Sequence, residues 1–317
     1  MRPTTPSHRA LSVSRALRTS AAAIVTVAVT AGMGSAVASN GHAPAALQAR
    51  SRLPIVFGAS GGAEVPKLAH RVGVHLATHV FGHLEGKVPV GRFINMQPDF
   101  VWSKIAAAKA GTLVYRDLVR WADTLKTRQG RPILFSFSHE PEGKASDDLG
   151  TAHAFIAAWQ RIHDIWTHRG VTNIEYTWTM PSNSFRVKPT DDRYAPKWYP
   201  GTAYVDNVAS AAYNWYNCGQ GSGKWLPLSD RAAAPLAFAK ARHKQLVLAE
   251  WASQSGARRA QWLKDARSWF LTNKRSIRGA FYYQTPNPPP GCHWALTSDI
   301  DVKAFGTMAR DRTNFGG

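Results

Sequence analysis

Cysteine is scarce in this chain, two residues in 317, and acidic residues are about half as numerous as basic ones, 20 against 39. Two thiols cannot build a disulfide-dense scaffold. The acid deficit leaves a formal net charge of +19. No run of lysine and arginine concentrates it, so nucleic-acid binding is excluded, and adhesion to anionic polymers or envelopes stays open. A Gly-rich phosphate fingerprint is also missing. Gly58-Ala59-Ser60-Gly61-Gly62 lacks the third glycine, has Pro66 within the helix that should follow and no acidic residue about 20 positions on, so it reads as a turn. Nor is there a Ser/Thr/Pro-rich linker. Pro286-Asn287-Pro288-Pro289-Pro290 is only long enough to stiffen a loop.

What is present begins with a leader. Arg2, Arg9, Arg15 and Arg18 precede an apolar run over 21–33, and Ala36-Val37-Ala38 forms a small-x-small cleavage site. That order predicts a secretory signal peptide over 1–38, followed by a single domain over 39–317, secreted and with no stable membrane association after cleavage. The run is short and rich in Ala, Gly and Thr, which argues against an anchor. In an oxidising compartment Cys218 and Cys292 are expected to pair, the alternative being two free thiols.

Apolar strand-like runs recur near 55–57, 72–76, 91–95, 132–137, 174–179, 205–212, 245–249 and 279–283. Between them lie amphipathic stretches at 115–128, 151–169 and 258–274, with Phe155, Ile156, Trp159, Ile162, Ile165 and Trp166 at helical spacing. Eight alternating repeats over a length near the ~250 residues of one barrel predict an α/β fold, the (β/α)8 TIM barrel, in one domain.

Two of these runs stop at a glutamate: Phe135-Ser136-Phe137-Ser138-His139-Glu140 and Leu246-Val247-Leu248-Ala249-Glu250-Trp251. A carboxylate at a buried strand end costs free energy to desolvate, and in a parallel barrel that end is where chemistry is done. One such glutamate is more simply a salt bridge or a helix cap. Two point to the acid and the nucleophile or base of glycosidic cleavage.

His139-Glu140-Pro141-Glu142-Gly143 after Gly130-Arg131-Pro132-Ile133-Leu134, the segment from Trp198 through Asp206 to Tyr213-Asn214, and Glu250-Trp251 together resemble glycoside hydrolase family 26 in motif and order. They span about half of the mature chain. The resemblance implies a retaining glycosidase acting by double displacement on a β-linked polysaccharide, most typically an endo-β-1,4-mannanase, with no cofactor. It makes Glu140 the acid/base, Glu250 the nucleophile, and His139 and Tyr213 the residues that position Glu250. The alternatives are a β-glucanase or β-xylanase on the same scaffold, or a glycan-binding barrel without catalysis. Glu142 stands where the family commonly has Asn, and Ser136 where it often has Arg, so chemistry transfers more safely than specificity.

Sugar rings present apolar CH faces that stack on aromatic side chains. Trp178, Trp215, Trp251, Tyr283 and Trp294 are therefore expected in the cleft, with His75 on strand two hydrogen-bonding sugar hydroxyls. Trp159, Trp166, Trp262 and Trp269 are expected to pack helices. His70, His75, His79 and His83 have a spacing that invites zinc, but no cysteine and only Glu85 accompany them, so no metal site is assigned. The expected partner is a polysaccharide or oligosaccharide, and the protein a monomer.

Overall fold

Strand β1 of the computed structural model, Ile55–Ser60, pairs in parallel with both β2 (Ala77–His83) and β8 (Ile277–Tyr283), closing the sheet into a ring. The structure describes residues 53–144 and 148–317, so the expected leader lies outside the described residues. The ring continues through β3 (Phe93–Gln97), β4 (Ile133–Phe137), β5 (Ile174–Pro181), β6 (Asn207–Asn214) and β7 (Gln245–Ser253), every pairing parallel. The expected (β/α)8 barrel is present. A short ninth strand, Phe315–Gly316, adds beside β1 outside the closure.

The helices are α1 (Glu64–Val72), α2 (Trp102–Ala106), α3 (Leu113–Lys126), α4 (Pro141–Lys144), α5 (Ala152–His168), α6 (Leu228–Lys240), α7 (Arg259–Thr272) and α8 (Asp299–Ala309). Caps fix where several begin. Thr112, Thr151 and Ser298 accept from the backbone N–H of Tyr115, Ala154 and Asp301, satisfying donors that the first turn leaves free. Trp159, Trp166 and Trp262 are buried between helices and strands as expected, Trp269 is half-buried against the same core, and Trp121 packs there as well.

Along each strand alternate side chains enter the barrel. Val56, Ala77, Phe93, Leu134, Ala209, Val247 and Phe281 form the small apolar plug inside, while the larger cluster fills the layer between strands and helices. Two side chains break the alternation. In β7 the register on β6 runs from Ser210↔Leu248 to Ala211↔Glu250, passing over Ala249, and the pairing with β8 shifts across the same residues. In β8 the register passes from Ile277 to Gly279 over Arg278. Each is a one-residue bulge, which lets two successive residues face the same side.

Two expectations are corrected. The second strand is not 72–76. Val72 closes α1, Gly73 caps it at φ 71°, and β2 begins only at Ala77. Pro66 does not interrupt the helix after β1. It sits in the first turn of α1, where its missing N–H has no intrahelical acceptor to lose.

Candidate active site

Strand β4 ends at Phe137, and the next residues turn sharply: Ser138 and Glu140 occupy the left-handed region at φ 50° and 51°, with His139 between them. Non-glycine residues there are strained by about 1 kcal/mol or more, and such strain collects at functional sites. The turn swings His139 and Glu140 over the C-terminal mouth of the barrel. From the far side, the bulge at Ala249 rotates Glu250 inward while Trp251 stays outside. His139 Nε2 stands 3.9 Å from a carboxylate oxygen of Glu140 and 3.9 Å from one of Glu250. Residues from β4 and β7 thus converge on one imidazole.

Tyr213, near the end of β6, donates its hydroxyl to Glu250 Oε2. Burial, followed by the charges of Glu250 and Glu140, keeps the phenol protonated far beyond its ordinary range, so it acts as a donor. Glu250 itself is pushed up to about 7 by burial, with the Tyr213 hydrogen bond pulling the other way. Its side chain is only 9% exposed, whereas Glu140 is 33% exposed and open to the mouth. The two carboxylates therefore sit in different surroundings, one dry and one wet. Burial by itself favours a proton on Glu250, so the Tyr213 hydrogen bond, which favours the charged form, is what a nucleophilic role for Glu250 depends on.

The aromatic expectations divide. Trp215 and Tyr283 are half-buried beside Tyr213, at 5.4 and 6.0 Å between ring centroids, and burial, followed by the charges of Glu250 and Glu140, raises the Tyr283 phenol. Trp294 is 1% exposed and lies parallel to Tyr213 at 4.4 Å, backing that ring rather than facing the mouth. Trp251 and Trp178 are fully buried outside the barrel, Trp251 among Phe57, Trp262, Phe270 and Tyr282, Trp178 among Phe185, Tyr199 and Phe238. As strand residues of outward parity, these two pack helices and cannot touch a ligand in the mouth. His75 is corrected as well. It lies before β2, at the opposite end of the barrel, lining a cavity of about 560 Å³ with Arg92, Arg128 and Arg131.

Cys218 and Cys292 are joined by a disulfide. It ties the loop after β6 to the loop after β8, which carries Trp294. Closing a loop of 74 residues is worth on the order of 4 kcal/mol in the chain-entropy view.

Two neighbours of the site, His79 and Phe81, have no place in the cleft by the sequence reading, and a third, Glu142, enters it only as a departure from the family motif. His79, inside β2, is stacked on Phe93 at 4.2 Å and lies 5.9 Å from His139, with burial and the His139 charge holding it well below its usual range. It stays neutral. Its ring points toward the Ala249 carbonyl at the bulge without a hydrogen bond of normal length and angle. Phe81, two residues on, stands edge-on to His139 at 5.5 Å. Glu142 is pushed up to about 7 by burial and accepts from Ser184 Oγ at 3.1 Å. A strand placed at 77–83 with period-2 alternation would have found the first two. The zinc-like spacing of the histidines dissolves, because His75 and His79 sit at different levels of the barrel. Among the described residues no group of three or more His, Cys, Asp or Glu has metal-site geometry.

No family model matches the chain. Solved structures do. GH26C from Muricauda sp. superposes with a TM-score of 0.57 at 16% identity, covering 84% of this chain and 88% of that one. The catalytic domain of the GH26 endo-β-1,4-mannanase from Bacillus sp. JAMB-750 gives 0.56 at 16%, with the same coverage. The GH26 domain of a mannanase/glucanase from Prevotella bryantii gives 0.54 at 15%, covering 84% and 92%. The chain shares the (β/α)8 barrel of these proteins. By sequence it is similar to Endoglucanase H of Acetivibrio thermocellus, 24% identical over 223 residues, which is 61% of this chain. The match spans only 24% of the length of that relative. Among the described residues no helix is long and apolar enough to cross a membrane.

Proposed function

We propose that this chain is a glycoside hydrolase of the family 26 type that cleaves a β-linked polysaccharide with retention of configuration. The observation that carries the reading is the convergence of Glu140 and Glu250 on His139 Nε2, with Glu250 buried, bulged inward and bonded by Tyr213. In this reading Glu140 donates a proton to the glycosidic oxygen while Glu250 attacks the anomeric carbon. The bond to the leaving sugar breaks as the Glu250 ester forms. Glu140 then takes a proton from water, whose oxygen displaces Glu250 and releases the sugar. The first step leaves Glu140 as a carboxylate, so the proton it gives to the leaving sugar is replaced by the one it takes from water in the second. Tyr213 holds one oxygen of Glu250, leaving the other to attack.

β-Mannan is the leading substrate, because the motif resemblance and the Bacillus structure both carry that activity in name. A β-glucan is the second reading, favoured by the likeness to an endoglucanase. Export of the domain after loss of residues 1–38 belongs to the same proposal, and the mass of the secreted chain tests it.

Reducing ends released from mannan, mixed-linkage glucan and xylan decide the substrate. The roles are tested by Glu140→Ala with an activated nitrophenyl glycoside and azide. An azide product of retained configuration supports them, because the glycosyl-Glu250 ester still forms. An inverted product from the parent protein, or full activity in Glu140→Ala or Glu250→Ala, overturns them. Glycan binding without release of reducing ends from any of the three would identify a non-catalytic barrel instead.

A further inference from the structure

The strand β2 contributes nothing to the acid and nucleophile pair, yet its inward face climbs from core to mouth as His79, Phe81 and His83. Burial falls along it: His79 is buried, while Phe81 is 41% exposed. Among the described residues Phe81 is the one aromatic side chain among the exposed large hydrophobics, the others being Leu53, Val90, Leu113 and Ile300. Burying a phenyl ring is worth about 1.5–3 kcal/mol, so a ring left half in water at a cleft mouth forgoes much of that until something covers it.

The ring is held in place. His79 supports it from below at 4.6 Å and His139 stands edge-on at 5.5 Å. Gly82 follows, and a Cβ there would meet the Pro89 ring at 2.5 Å, so the strand end is pressed against the next loop. His83 is equally fixed. Its Nδ1 lies 2.7 Å from Asp99 Oδ1, and Asp99 Oδ2 accepts from the Glu85 N–H at 2.8 Å. An ionised carboxylate only accepts, so Nδ1 carries the proton in this contact and Nε2 is left to bond a hydroxyl. That side chain is 71% exposed.

We propose that Phe81 and His83 form a sugar-binding wall, on which a pyranose of a neutral β-linked glycan stacks its CH face while a hydroxyl hydrogen-bonds His83 Nε2. The proposal rests on the glycan reading above and specifies which strand holds the chain beside the cleavage point. Residues i and i+2 on a strand face are about 7 Å apart, which sets an apolar platform next to a polar rim as a sugar presents them. The carboxylate of Asp99 behind His83 fits a neutral sugar better than a uronate. Continuity with the candidate active site comes through His139, which touches both the Phe81 ring and the two carboxylates.

Mannohexaose and cellohexaose, titrated by calorimetry into Glu140→Gln protein and into the same protein carrying Phe81→Ala, Phe81→Tyr or His83→Ala, test this directly. At least one hexasaccharide is expected to bind on the order of tenfold more weakly to Phe81→Ala, the size of one aromatic contact. His83→Ala should weaken binding a few-fold, and Phe81→Tyr should restore it. On the active background Phe81→Ala should raise KM for the polysaccharide about tenfold, with a smaller loss in kcat. Unchanged affinity in Phe81→Ala, a loss confined to kcat, or failure of both hexasaccharides to bind Glu140→Gln would overturn the wall. Binding that depends on Phe81 in a protein that releases no reducing ends would keep the wall and remove the hydrolase reading.

Discussion

Glu175 and Glu250 are both glutamates inside the same barrel, one near the N-terminal ends of the strands and one near the C-terminal ends. Glu175 receives Arg278 through two bonds of 2.9 Å and Asn207 through a third. Glu250 receives a tyrosine hydroxyl and stands near a histidine, and among the described residues no lysine or arginine pairs with it. Each arrangement depends on a one-residue bulge, which turns Arg278 inward in β8 and Glu250 inward in β7. One bulge completes a charge pair. The other brings in a carboxylate whose desolvation is left largely uncompensated, which is the condition for its position near 7. A barrel can therefore carry a buried carboxylate either as a strut or as a reagent, and the partner decides which.

The comparison is broken most directly by exchanging consequences. Glu250→Ala should lower kcat by about 10⁴-fold or more while leaving the protein folded, since no ester can form. Arg278→Met should do the reverse. It leaves Glu175 buried without its cation, and denaturant titration should find a loss of about 3–5 kcal/mol, with turnover per folded molecule within about threefold of the parent. A large loss of turnover at full stability in Arg278→Met would erase the distinction.

Smaller effects sharpen it. The Tyr213 hydrogen bond lowers the pKa of Glu250 against the effect of burial, so Tyr213→Phe should move the acid limb of the kcat/KM profile above 7 and cost about 10–100-fold near neutrality. A limb that moves down would contradict the geometry. The smallest effect is on stability. Folded Glu250 keeps a proton up to about 7 that the unfolded chain gives up near 4.5, so this group's contribution falls as pH rises through that window. Glu142 adds a slope of the same sign in parent and variant alike. Glu250→Gln removes only the first slope, and relative to the parent it should gain about 1 kcal/mol or more between pH 5 and pH 8. Parallel melting curves for the two proteins at both pH values would show that Glu250 is not shifted.

Residues legible before folding were those whose signal is local. The strand-like run into His139-Glu140 and the run into Glu250 both end at the barrel mouth, because period and length announce a buried parallel strand without knowledge of its neighbours. The second strand was misread by five residues, since Val72 continues the helical pattern and only the left-handed turn at Gly73 ends it. A strand at 72–76 puts His75 toward the mouth, whereas the strand at 77–83 carries His79, Phe81 and His83 there instead. Trp178, Trp251 and Trp294 were misplaced for a different reason. An aromatic side chain is rewarded equally by helix packing and by a cleft, so composition does not say which way it faces.

By itself the sequence determined the number of repeats, the strand ends that carry carboxylates and the availability of two cysteines, since each follows from residue types and spacing along the chain. Only the tertiary structure decided which way those groups face. Glu250 enters the barrel because Ala249 has no partner on β6, Trp251 therefore stays outside, and Cys218 meets Cys292 because the loops after β6 and β8 converge. Strand register and loop convergence are properties of pairs of segments, and their energies appear only when the ring closes.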